Sequence, residues 1–164
     1  MENQFIEVYV AQYGSAFPTV QNPRICHRWA IIFMSPLPNQ LLGVSYGAVG
    51  DFRMLQVLPP QRVSLLESRD YKGRCRIGRI ASHVFIKKGQ DSAHAKLLAT
   101  PVRNDLPTWN GQDWVVDALT GIKDLGEFSK DLSVNGIQRK LNGAMREDST
   151  SLSVEMMLKD MKLL

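Results

Sequence analysis

The hydrophobic period of this chain changes once, between Ile80 and Ser92, and that change restricts the fold more than any other feature. Before it, apolar residues recur as in strands. Phe5-Ile-Glu-Val-Tyr-Val-Ala-Gln12 alternates and is rich in β-formers. After a loop from Tyr13 to Pro23, His27-Arg-Trp-Ala-Ile-Ile-Phe-Met34 reads as a buried central strand. Ser35-Pro-Leu-Pro-Asn39 is a turn, Leu41 to Val49 a glycine-spaced strand, and Phe52 to Leu58 another. Pro59-Pro60 closes that strand, because proline donates nothing to a ladder. Arg74 to Ile80 is a further strand with arginines on one face. About five strands in succession predict an antiparallel meander.

From Ser92 the period is helical. Ser92 to Ala99 favours a helix. After a loop from Thr100 to Trp109, Val115, Ala118, Leu119 and Ile122 fall at i, i+3, i+4 and i+7, one apolar stripe. Val134, Ile137, Gln138 and Leu141 continue the pattern in another helix. Strands first and helices later predict an α+β fold. A polar break at Asp148–Ser153 separates a single domain over 1–147 from an amphipathic helix over 148–164, striped by Val154, Met157, Leu158, Met161 and Leu164. Packing on the domain is the default for that helix; a pocket lid or a homodimer contact is the sharper alternative, because methionine adapts to irregular partners.

Composition narrows the class. The 164 residues suit one domain, and the longest apolar run, Trp29–Met34, is only strand-sized. Met1-Glu-Asn-Gln-Phe has neither a basic start nor an apolar signal core, and the two cysteines, Cys26 and Cys75, need no disulfide. A soluble, cytoplasmic chain without a membrane partner is expected. The net charge of +4 is too mild to mark a nucleic-acid binder. The basic stretch Arg69, Lys72, Arg74, Arg76, Arg79, Lys87 and Lys88 is more simply an edge strand guarded by charge. His83 and His94 lack metal-ligand spacing, and no metal or cofactor is expected.

Pro107-Thr-Trp-Asn-Gly-Gln-Asp-Trp-Val-Val-Asp-Ala-Leu119 is the one segment with chemistry attached. Locally it begins a helix: Asn110 is a good N-cap, and Asp113 stands where a capping-box acid would, facing the positive end of the helix dipole. The segment resembles small fungal proteins that carry Trp-Asn-Cys-Gln-Asp-Trp-Val at a helix start, after a β-rich half with a His-Trp-Ala-like strand. That group is similar to the permuted papain-like thiol hydrolases, such as the PPPDE and lecithin-retinol-acyltransferase-like proteins. The likeness covers the strand around Trp29 and the segment Trp109–Leu119.

The resemblance implies a permuted papain-like fold in which an early strand supplies histidine and a later helix start supplies cysteine, whose pKa the helix N-terminus lowers. Here Gly111 stands at the cysteine position and Arg28 at the histidine position. His27 comes one residue earlier, and a one-residue step flips a strand side chain to the other face. The resemblance therefore implies a retained pocket without a working thiol. Were Gly111 an engineered replacement, the parent would be a thiol enzyme at the same site. Asp113, Arg28 and His27 are the candidates for acid–base or electrostatic help. Trp109, Asn110, Gly111, Gln112, Trp114 and Trp29 are the candidate substrate-binding residues: glycine lets a ligand approach the backbone, and helix-start N–H groups favour an anion or a polarised carbonyl.

Blander roles stand beside each of these. Asn110 and Asp113 serve as a plain cap, the tryptophans as core or pocket wall, and His27 as a structural residue. The leading expectation is a non-thiol enzyme of cyclase, isomerase or lyase type acting on a small organic molecule, which would suit fungal specialised metabolism. The alternative is a catalytically inactive pseudoenzyme that binds a ligand or a protein. A basic nucleic-acid-associated domain is the third, and salt dependence would reveal it.

Overall fold

The computed structural model describes residues 4–15, 27–34, 42–50, 54–68 and 70–144. In chain order the strands are β1 (Phe5–Ser15), β2 (His27–Met34), β3 (Leu42–Tyr46), β4 (Ala48–Val49), β5 (Gln56–Val57), β6 (Gln61–Ser64), β7 (Tyr71–Ala81) and β8 (Glu127–Phe128). The helices are α1 (Ser82–Phe85), α2 (Ala93–Leu98), α3 (Gly111–Ile122) and α4 (134–144). The fold is α+β. Among the described residues, six strands form one antiparallel sheet in the order β6-β3-β2-β1-β7-β8, and β4 and β5 form a separate ribbon.

β1 is buried at Val8 and from Val10 to Tyr13, and β2 from Trp29 to Met34. On one face Val8 and Val10 of β1 lie with Trp29, Ile31 and Phe33 of β2 in the main core; on the other, Ala11 and Tyr13 lie with Ala30, Ile32 and Met34 in a second. With both faces covered, β2 reads as a continuous apolar run. The helices close the main core. Trp114, Val115, Ala118, Leu119 and Ile122 of α3 are buried there with Ala93 and Leu97 of α2 and with Ile137 and Leu141. A fully buried Leu or Ile side chain contributes about 1.5–3 kcal/mol.

The expected meander holds only from β1 to β3 and on to β6. β7 then returns to the free side of β1, pairing Phe5 with Ala81 and Tyr13 with Tyr71, so the topology is of Greek-key type. Period alone identifies a strand and not its neighbour. The strand expected from Leu41 to Val49 breaks at Gly47, whose carbonyl accepts from the Leu58 amide at 2.9 Å. Of the strand expected over Phe52–Leu58, only Gln56–Val57 forms among the described residues. Pro59-Pro60 does end it, yet Gln61–Ser64 resumes as the edge strand β6. β8 also goes beyond the expected count.

The arginines of β7 have partners. Arg76 pairs with Glu7, and Arg79 with Glu127 at 2.8 Å. Arg74 lies 4.4 Å over the Tyr9 ring and contacts the Met34 sulfur. No described helix is long and apolar enough to cross a membrane. The expected C-terminal helix over 148–164, with its dimer contact, lies outside the described residues, as do Cys26 and Arg69.

Candidate functional site

Asn110 sets the start of α3. Its extended backbone stops the helix turn, and its side-chain oxygen accepts from the amides of Gln112 at 2.8 Å and Asp113 at 3.4 Å. Asp113 returns the favour by accepting from the Asn110 amide at 2.8 Å. This capping box satisfies donors that a helix start would otherwise leave orphaned. The Asp113 carboxylate is thereby turned onto its own backbone.

Gly111 opens the helix with little room above it. A Cβ built there would stand 3.2 Å from the Ala48 carbonyl oxygen, so a larger residue requires β4 to give by a few tenths of an ångström. Gln112 donates from Nε2 to the His27 carbonyl at 2.9 Å. The start of β2 is thus fastened to the start of α3. By strand alternation His27 shares the helix-facing side with Trp29, while Arg28 belongs to the opposite face. Nδ1 of His27 is buried and has no hydrogen-bond partner among the described residues.

The three tryptophans are held by their indole N–H groups, which is how buried indoles are normally satisfied. Trp29 donates to Gln12 at 3.2 Å, Trp114 to the Thr100 carbonyl at 3.2 Å, and Trp109 to Asp117 at 3.3 Å. Trp29 and Trp114 are core residues, and Trp109 is half-buried against them. The structure therefore gathers His27, Trp109, Asn110, Gly111, Gln112, Asp113 and Trp114 on the helix side of the sheet and leaves Arg28 across it.

Arg28 borders a cleft of about 300 Å³ on that opposite side. It faces Tyr13 in the β1–β2 register, and its guanidinium carbon lies 4.5 Å from the Tyr13 ring centroid. Burial pushes the Tyr13 hydroxyl pKa up, and the nearby Arg28 charge offsets part of that. Ser45, Gln61, Ser64 and Ser68 add polar groups to the wall, while Val49, Leu58, Pro59 and Val63 add apolar ones. Among the described residues that line the cleft, Arg28 is the one carrying charge.

No sequence motif marks two polar groupings, one around Gln12 and one of Tyr46 with His94. Gln12, on the helix side of β1, accepts from both Trp29 and Gln138, the latter at 3.3 Å. Its signal was present, since a glutamine in the apolar phase of a strand must find partners when buried. Tyr46 and His94 share a hydrogen bond of 3.0 Å over a distance no motif spans. Among the described residues no three His, Cys, Asp or Glu side chains converge as metal ligands would. In comparisons with protein-family models, curated proteins and solved structures, nothing matches this chain.

Proposed function

We propose that this chain is a papain-like scaffold that has lost its thiol chemistry and serves as a binding module for a small organic molecule. The observation that carries the reading is the engagement of the helix start: Asp113 caps Asn110, and Gln112 holds the His27 carbonyl. Groups that would have served a reaction are committed to holding the backbone. The fastening of β2 to α3 supports the papain-like part, because the resemblance implies that an early strand brings its histidine to the start of the cysteine helix. One open volume lies across the sheet, beside Arg28; a larger one, about 710 Å³, lies between the end of α3 and residues 126–133.

The test is turnover. The chain is offered activated esters, thioesters and amides, and rates are compared with buffer. No acceleration is expected. Gly111→Cys is expected to fold and to gain a thiol that alkylates readily at neutral pH, since a helix N-terminus stabilises a thiolate. Turnover by the parent chain that disappears in His27→Ala would overturn the binding-module reading.

One observation favours a second reading, a non-thiol enzyme of cyclase, isomerase or lyase type. The buried Nδ1 of His27 lacks a partner among the described residues, and leaving such a group unsatisfied costs about 1–3 kcal/mol. A base awaiting a proton from its substrate is one reason a fold carries that cost. In this reading the small molecule meets His27 rather than Arg28, and His27→Ala removes activity while Arg28→Gln spares it.

A further inference from the structure

We infer that the cleft beside Arg28 binds a small organic monoanion, specifically a carboxylate with a compact apolar tail. The inference rests on reading the chain as a binding module and adds the site and the ligand class.

The charge argument comes first. Arg28 is exposed, forms no ion pair with a described carboxylate, and borders a cleft whose described lining contains no acid. On β7, by contrast, Arg76 and Arg79 are each matched by a glutamate. An unmatched guanidinium beside a concave surface attracts an anion, and a single cation balances a single negative charge. A dianionic phosphate ester would call for a second cation.

Geometry narrows the anion. Arg28 lies over the Tyr13 ring, which is itself braced edge-on by Tyr71 at 6.1 Å between centroids. Stacking on an aromatic face limits the motion of the guanidinium plane and leaves its N–H edge available. That edge matches a carboxylate with two parallel hydrogen bonds. Ser45, Ser64 and Gln61 can complete the hydrogen bonding, and Leu58, Pro59 and Val63 offer apolar wall to a short tail. The volume lies at the small end of the roughly 300–1,000 Å³ usual for ligand pockets, which favours a compact acid.

Calorimetric titration of the full chain with acetate, benzoate and octanoate tests this, with benzamide and phenyl phosphate as the neutral and dianionic comparisons. At least one carboxylate is expected to bind, with benzamide and phenyl phosphate each about tenfold weaker or more, a factor of ten being about 1.4 kcal/mol. Arg28→Gln should lose about tenfold or more for the carboxylate, by the same conversion, and Arg28→Lys should recover part of it. Leu58→Trp, which fills the cleft and leaves Arg28 in place, should also block binding. The thermal melt of each variant is followed alongside. Failure of all three carboxylates to bind, equal binding of benzamide, preference for phenyl phosphate, or undiminished binding by folded Arg28→Gln would each overturn the inference. Turnover dependent on His27 would overturn the binding-module reading instead, because that residue belongs to the other face.

Discussion

Gln112 reaches across 85 positions of sequence to donate a 2.9 Å hydrogen bond to the carbonyl oxygen of His27. Two chain segments with opposite periods, a strand start and a helix start, are joined by one side-chain amide. Gln112→Ala should lower stability by about 1 kcal/mol. Gln112→Glu should cost more, because a carboxylate cannot donate and would set oxygen against oxygen. Urea midpoints, with unchanged slopes, give the ranking. A Glu variant as stable as the parent would contradict the tie.

The cap at α3 should behave as a unit. Asn110→Ala is expected to cost about 1 kcal/mol and Asn110→Ser much less, because serine also caps well. Asp113→Ala removes only the return bond and should cost less than Asn110→Ala. A double-mutant cycle should show coupling between the two positions. Additivity within about 0.3 kcal/mol would mean that the two bonds act separately.

Two glycines should respond in opposite directions. A Cβ on Gly78 would meet the Glu127 carbonyl at 2.5 Å and the Phe128 ring at 2.6 Å, so Gly78→Ala should push β8 off the sheet and cost about 1–3 kcal/mol. The Ser129 amide, which donates to the Ile77 carbonyl at 2.8 Å, should then exchange faster with solvent deuterium. Gly121 lies exposed within α3, and a Cβ there meets nothing within 4 Å. Gly121→Ala should stabilise the fold by about 0.5–1 kcal/mol.

Alkaline stability should depend on Cys75. Burial raises its thiol from near 9 to about 11, while Lys140 and a hydrogen bond to the Val10 backbone pull it down. The unfolded chain releases that proton near pH 9, whereas the folded chain holds it until about 11. The contribution is therefore fully present below pH 9 and is lost as pH rises towards 11, by roughly 2–3 kcal/mol. Burial also raises Tyr13 and Tyr46, which adds to the decline at higher pH. Denaturation midpoints measured across this window should fall less steeply in Cys75→Ala. Equal slopes would remove the thiol from the account.

What the sequence disclosed was local. The alternation of Phe5–Gln12 and the run His27–Met34 identify β1 and β2, and the stripe Val115–Ile122 with its Asn110–Asp113 cap identifies α3, because these depend on neighbours within a few residues. The return of β7 to β1 was hidden, since Val8 and Val10 would bury equally well beside any apolar strand. β8 has two residues, too few for any period. Arg28 was singled out as the stand-in for a histidine, yet the strand turns it away from Gly111 and towards Tyr13, Ser45 and Gln61. Such a cleft draws on five strands at once, β1, β2, β3, β4 and β6, and leaves no linear pattern.

The return of β7 also imposes an order in time. β1 pairs early with β2, since only one loop need close, but its other edge is completed by residues 71–81. During synthesis that edge of β1 stays open while the intervening strands are made. Contacts of such long sequence separation form slowly, and an unpaired edge recruits other chains. The interval between the emergence of Tyr13 and that of Tyr71 is therefore when this protein is most exposed to aggregation.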